Sequence, residues 1–211
     1  ACMMAGVEVV YAVHQTGLVG MMVASEQLVP YNGFAYDLMF SPLAENPYMT
    51  KEEVADAMVY GWDAYYGNKG WVDLSAVDVA AIGEVAMDEF VSWKDAMQAD
   101  LGMYLKDYLK AFKKAEMVKN WYIVDIGIFC QKLLTGKDIS DGVLKDASTA
   151  LVSALDAGVN AQSGGGKIPL CGVTLWFGID GEYVNYGPIY DTLAFAGDTG
   201  WYDFMTEVNG Y

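Results

Sequence analysis

Cys2, Glu8, His14, Glu26 and Asp78 are the side chains in the first part of the chain whose types could do chemistry. A thiol attacks a carbonyl carbon as thiolate, and it needs a base within hydrogen-bond reach, roughly 3 Å. His14 is the single histidine. If one helix carried both residues, the twelve positions from Cys2 to His14 at ~1.5 Å each would separate them by about 18 Å. His14 is therefore excluded as the base and suits the C-terminal end of its helix, where the dipole favours a cation. Glu8 falls on a different helix face from Cys2 and reads as a structural carboxylate near a sheet. Asp78 either faces a pocket or ends its strand. Cys2 has two readings, a small buried residue or a nucleophile. If a strand precedes Ala1, Cys2 sits at a strand-to-helix junction, where helix N–H groups favour thiolate and where α/β sheets bind ligands.

The rest of the composition narrows the field. The 211 residues are 54% hydrophobic, which implies one folded domain with a sizeable core. Twelve basic residues against 28 acidic ones, a net charge of −16, exclude nucleic acid as a partner, because phosphate contacts need basic patches. Such a field favours cationic ligands, including Lys- or Arg-containing peptides, or simply maintains solubility. Cys2, Cys130 and Cys171 are too few and too scattered for a disulfide framework or a metal quartet; the last two lie in apolar runs and read as buried free thiols. One histidine leaves little for a histidine-based metal site. No apolar run is long enough for a bilayer, and no basic-then-apolar leader opens the chain. A start at Ala1-Cys2 reads as a processed or excised piece of a longer protein.

The elements that would position these residues follow from periodicity. Residues 3–13 read as a helix with Met3, Val7, Val10 and Tyr11 on one face. Residues 18–25 form an apolar strand suited to cover on both faces. Residues 26–34 form a loop, and Tyr36 to Phe40 make a helical turn stopped by Pro42. Thr50 and Glu53 make a capping box for a helix to about Tyr65. The glycines around Asn68 and Lys69 mark a turn. Residues 74–79 are a second strand. A long helical region, 80–120, breaks near Asp100. A helix covers 124–134, and Ser140 caps another over 143–157. Residues 163–166 read as a flexible connector, and 172–177 as a third strand. Two short helices, 191–196 and 199–208, end the chain. Trp176, Tyr190, Phe195 and Trp201 read as core. Lys106, Lys110, Lys113, Lys114 and Lys119 form the solvated face of an amphipathic helix. Strands alternating with helices predict an α/β fold with helices on the sheet faces. Three strands are few for so many helices, so strands are expected from upstream of Ala1.

Five blocks resemble one family in order. Ala1-Cys2-Met3-Met4, followed by Val7-Glu8-Val9-Val10-Tyr11, resembles the nucleophile segment D-A-C-L-M-x-x-V-E-V-A-Y of the clostripain family of cysteine peptidases. Met22-Val23-Ala24-Ser25-Glu26, then Gly33-Phe34-Ala35-Tyr36, is similar to V-A-S-E-E-x-x-P-G-x-G-W-x-Y. Leu74-Ser75-Ala76-Val77-Asp78-Val79 resembles L-S-x-x-D-L. Val124-Asp125-Ile126 with Phe129-Cys130 resembles V-D-L-x-D-F/L-C, and Phe195-Ala196-Gly197-Asp198-Thr199-Gly200-Trp201 resembles F-A-x-D-T-x-W.

The resemblance implies a caspase-like three-layer α/β sandwich whose sheet is incomplete without an upstream segment. It also implies an endopeptidase that cuts after Arg or Lys. Cys2 is then the nucleophile, and its own N–H with a glycine N–H near the catalytic histidine holds the oxyanion. Residues 25–34, with Ser25, Glu26 and Gly33, would border the S1 pocket and pair with substrate as an added strand. The family's histidine and its P1-reading aspartate precede the nucleophile, so both would come from an upstream segment or light chain. Glu26 and Asp78 are the local acidic candidates. Residues 1–211 would be the catalytic-cysteine portion of such a peptidase, from a secreted or cell-envelope bacterial protein. No cofactor is expected. Some family members need calcium, but Asp198, Asp203 and Glu207 lack EF-hand spacing. The contrasting reading is a caspase-like domain without activity, kept as a binding or scaffold module.

Overall fold

Along the strand Asp73–Asp78, side chains alternate between the two faces of a sheet, and that alternation separates two cores. Leu74 and Ala76 join a smaller apolar cluster with Met39, Val59, Trp62 and Tyr66. Val77 joins a larger one with Val7, Val10, Ile82 and Phe90. The computed structural model describes residues 2–67, 72–116, 121–136, 139–164 and 170–210, the side chain of Val85 excepted. Its elements are α1 (Val7–Gln15), β1 (Met21–Ala24), α2 (Tyr36–Glu45), α3 (Lys51–Tyr66), β2 (Asp73–Asp78), a π-helical turn (Ala81–Val85), α4 (Ala86–Ala99) and α5 (Leu101–Ala115). Then follow β3 (Ile123–Asp125), α6 (Ile126–Leu134), α7 (Gly142–Gly158), β4 (Val159–Gly164), β5 (Thr174–Trp176), α8 (Asp180–Tyr190), α9 (Ala194–Thr199) and α10 (Trp201–Gly210). None of the described helices is long and apolar enough to cross a membrane.

The strands form a three-stranded sheet, β1-β2-β4, and a two-stranded one, β3-β5, with antiparallel pairing throughout. Residues 3–6 join them. Met3 and Ala5 donate N–H bonds to the carbonyls of Gln27 (3.0 Å) and Ser25 (3.2 Å), Thr174 donates to the Ala5 carbonyl (2.8 Å), and Gly6 bridges Thr174 in parallel. Helices α2 and α3 cover one face of the larger sheet; α1, the π-helical turn and α7 lie on the other, with α4, α5 and α6 packed outside. This is the expected three-layer α/β arrangement.

Several boundaries differ from the periodicity. The helix expected over 3–13 starts at Val7, because the N–H groups of Met3 and Ala5 pair with the sheet instead. Pro42 does not stop α2. It removes one N–H, and α3 crosses close to the Leu38 backbone there; a Cβ on Gly61 would lie 2.7 Å from the Leu38 carbonyl. The Thr50–Glu53 capping box forms with both hydrogen bonds. Val124 and Asp125 belong to β3, and Asp125 caps α6. Asp141, not Ser140, caps α7. Ser163 and Gly164 are the end of β4; Gly165 and Gly166 lie outside the described residues, as do Asn68 to Gly70 and Lys119. Helix α8 was not legible, and the helix expected over 191–196 begins at Ala194.

Candidate active site

Cys2 is exposed, at the edge where residues 3–6 enter between the two sheets. The Val29 N–H donates to its sulfur at 3.1 Å. Met3, next in sequence, has φ 51°, a left-handed conformation that costs a non-glycine residue free energy and turns the chain sharply after the thiol. Helix α1 begins only at Val7. Its dipole acts within its first turn, so the junction expected at Cys2 is displaced: the thiol faces a loop amide rather than a helix N-terminus.

Residues 25–33 form the floor beside Cys2. Ser25 donates its hydroxyl to Asp73 Oδ1 (3.0 Å), Gln27 N–H donates to the same oxygen (3.0 Å), and Glu26 N–H donates to Oδ2 (2.8 Å). Asp73 thus holds the segment that pairs with Met3 and Ala5. Gly33 donates its N–H to the Pro30 carbonyl (2.8 Å) with φ 70°, and its carbonyl accepts the Tyr66 hydroxyl (2.5 Å). The fold therefore brings Cys2, Ser25, the backbone of Glu26 and Gly33 to one end of the sheet.

The Glu26 side chain turns inward. It is fully buried, and Oε1 accepts the N–H of Gly172 (2.9 Å) and the amide of Gln162 (3.3 Å). Oε2 faces no donor. Asp125 lies close by; its Oδ1 accepts the Ile128 N–H (2.6 Å) and its Oδ2 the Cys171 N–H (2.7 Å). Burial pushes Glu26 well above the usual carboxylate range, reinforced by the charges of Asp125 and Asp73. Burial raises Asp125 too, against its two N–H donors. Asp73 is raised by burial to about 6, opposed by the Glu26 N–H, the Ser25 hydroxyl and the Gln27 N–H. Of the two, Glu26 is the one whose ionisation burial opposes most, while the Ile128 and Cys171 N–H groups favour the charged form of Asp125. The cluster does not fit calcium, because backbone N–H groups already point at the oxygens of Asp73 and Asp125.

These raised values set a sign. Between 3.8 and about 6 the folded chain keeps a proton on Asp73 that the unfolded chain has released, and Glu26, whose unfolded reference is 4.5, extends the interval upward. The stabilisation is fully present at lower pH and is lost as pH rises. Unfolding free energy is expected to fall by on the order of 3 kcal/mol from about pH 4 to about pH 8. Glu26→Gln, isosteric and neutral throughout, is expected to be ~1–2 kcal/mol more stable than the parent at about pH 8 and equal to it at about pH 4. Urea-unfolding curves across pH measure both; a parent chain that gains stability over this interval would contradict the assignment.

The other expected residues fall elsewhere. Asp78 ends β2, with Oδ1 accepting the N–H groups of Ala80 and Ala81 (both 2.9 Å). It stands five residues from Asp73, about 16 Å at ~3.3 Å per residue, at the end of the strand away from Cys2. His14 lies in the last turn of α1, against Gly83. Glu8 is the structural carboxylate expected: Oε1 accepts the Trp176 N–H (2.8 Å) and the Tyr190 hydroxyl (2.9 Å). Cys130 and Cys171 are buried, and burial pushes both thiols up. Sequence reasoning missed Asp73 and Asp125 as positioning residues. The available signal was a carboxylate on or beside an apolar strand, where an acid persists only if the fold supplies it with donors.

The family model of the clostripain family, peptidase C11, matches residues 1–206. No curated protein matches the chain significantly. Solved structures that share its fold include three proteases. An inactive zymogen C11 protease from Parabacteroides distasonis superposes with TM-score 0.70 at 15% identity, covering 94% of this chain and 56% of that one. A B. fragilis cysteine protease gives 0.66 at 14% identity, covering 96% and 85%. A clostripain from Bacteroides thetaiotaomicron, in complex with the peptide inhibitor BTN-VLTK-AOMK, gives 0.61 at 14% identity, covering 94% and 83%. The chain thus spans little more than half the length of the zymogen. With five sequence blocks in order, a matching three-layer fold and a family model that covers almost every residue, the chain belongs to the clostripain family of peptidases.

Proposed function

We propose that residues 1–211 are the catalytic-cysteine portion of an endopeptidase that cuts after Lys or Arg, with Cys2 as nucleophile. The imidazole base and an oxyanion-binding glycine N–H come from a segment outside this chain, either covalent or a separate light chain. One observation carries the reading: of three thiols, Cys2 is exposed beside an ordered loop floor, while Cys130 and Cys171 are buried. The left-handed Met3 supports it, as a sharp turn presents a nucleophile outward. The Val29 N–H is a donor that a charged sulfur accepts more strongly than a neutral one. The base is assigned outside because the single histidine packs on Gly83 at the far end of α1.

Preference for a basic side chain is supported by the net charge of −16 and by the buried carboxyl cluster beneath residues 25–27. It is also supported by the Bacteroides thetaiotaomicron neighbour, whose peptide inhibitor ends in lysine. Ser25 and Glu26, both fully buried, support the pocket for that side chain from beneath, and Gly33 borders it. Asp78, at the other end of β2, takes no part. Labelling by a lysyl or arginyl chloromethyl ketone, in the presence of the upstream segment and followed by peptide mass mapping, tests the reading. Cys2 is expected to be alkylated well before Cys130 and Cys171, and faster than by a ketone with a neutral P1 residue. Equal labelling of all three thiols would favour the binding-module reading instead.

A further inference from the structure

Trp176 is the last residue of β5, and its register against β3 sets Ile123 opposite it. Trp121, two residues before β3, lines the same pocket as Trp176. Gly178 leaves the space into which Trp176 leans; a Cβ there would meet its six-membered ring at 2.1 Å. The Trp176 backbone is held by its N–H bond to Glu8 (2.8 Å) and by the Trp201 indole N–H on its carbonyl (2.9 Å). Tyr190 stacks on its ring at 4.5 Å between centroids. Glu182, Tyr186 and Tyr190 recur every four residues on α8 and so line one stripe. Tyr190 packs at the buried end, and Tyr186 and Glu182 continue outward.

The result is an open pocket of about 390 Å³ whose lining residues are Trp121, Trp176, Glu182 and Tyr186. Trp121 and Tyr186 are each about half exposed (52% and 53%). Among the described residues, neither ring stacks on another aromatic ring, and the Glu182 carboxylate has no ion-pair or hydrogen-bond partner.

We propose that this pocket binds a quaternary ammonium group, its methyls against the rings of Trp121, Trp176 and Tyr186 and its charge facing Glu182. Ring faces carry negative potential and attract a cation, most strongly at tryptophan. A primary ammonium brings three N–H groups that need acceptors, and among the described residues Glu182 is the only charged acceptor in the lining. An alkylated ammonium brings none, and it spreads its charge over the apolar surface these rings offer. An anion is opposed by Glu182 and by the net charge of −16. The same headgroup occurs on free solutes and on choline lipids.

Choline, titrated against the whole chain and followed by tryptophan fluorescence and calorimetry, tests the site. Saturable binding is expected, at least about tenfold tighter than for the neutral carbon isostere 3,3-dimethylbutanol. Glu182→Gln is expected to weaken it about tenfold, and Trp121→Ala with Tyr186→Ala to abolish it. Both aromatic positions are half exposed, so their loss leaves the core intact, which circular dichroism checks. Capture on phosphatidylcholine vesicles that fails in the same variants identifies the lipid headgroup as the source; choline binding without vesicle capture identifies the free solute. Equal affinity for the isostere, binding that survives the double variant, or no saturable binding would each overturn the proposal.

Discussion

Cys2→Ala is expected to lower peptidase turnover of the assembled enzyme by about 10⁴-fold or more, with KM for a Lys- or Arg-containing peptide little changed. The expectation follows from the absence of a substitute. Cys130 has no exposed surface and Cys171 has 8%, and burial pushes both thiols up, so neither can attack a peptide carbonyl. Alanine removes the bond-forming atom and leaves the binding surface in place. That surface is held by Asp73 through Ser25, Glu26 and Gln27, whereas the hydrogen bonds of the Cys2 sulfur are to Val29. The loss therefore falls on kcat, because the interaction removed exists only once the carbonyl is attacked. Cys2→Ser, with a hydroxyl at the same position, is expected to lose nearly as much. Steady-state kinetics with a fluorogenic peptide measure both, and a Cys2→Ala variant within about tenfold of the parent would remove Cys2 from the chemistry.

Asp125→Ala is expected to cost about 3–5 kcal/mol of unfolding free energy. Asp125 caps α6 through the Ile128 N–H and reaches 46 residues along the chain to the Cys171 N–H. Both donors are buried, and each unpaired one costs about 1–3 kcal/mol. Part of the loss is returned at high pH, because Glu26 no longer faces the Asp125 charge. The deficit is thus larger at about pH 5 than at about pH 8, a pattern that loss of a simple helix cap does not produce. Asp125→Asn keeps one acceptor and is expected to cost roughly half as much. Urea unfolding at the two pH values separates these cases; a deficit under about 1 kcal/mol at both would remove Asp125 from the support of the site.

Local signals were read well where one turn or one strand contains its own cause. The Thr50–Glu53 capping box joins residues three apart and formed as expected. The apolar residues around Ala76 made a strand, and the lysines of α5 face solvent opposite Tyr108 and Phe112. Signals were misread where the cause lay far along the chain. Val159–Gly164 has little apolar content and is a strand because β2 presents a free edge to it. Asp180–Tyr190 contains Gly181, Gly187 and Pro188, poor helix formers, yet it is helical with Tyr190 packed on Trp176.

What the sequence determined by itself was the nucleophile candidate, the family and the elements whose cause is local, such as α3 with its capping box and β2, because these depend on residue type and short-range spacing. Only the tertiary structure decided that Cys2 leads into a strand-like segment rather than a helix, that Asp73 holds the floor beneath it, that Asp125 ties α6 to Cys171, and that Glu26 turns inward, where burial opposes its ionisation. Those outcomes rest on hydrogen bonds between residues tens of positions apart, and on how burial and neighbouring charge act on carboxyls once the chain has closed around them.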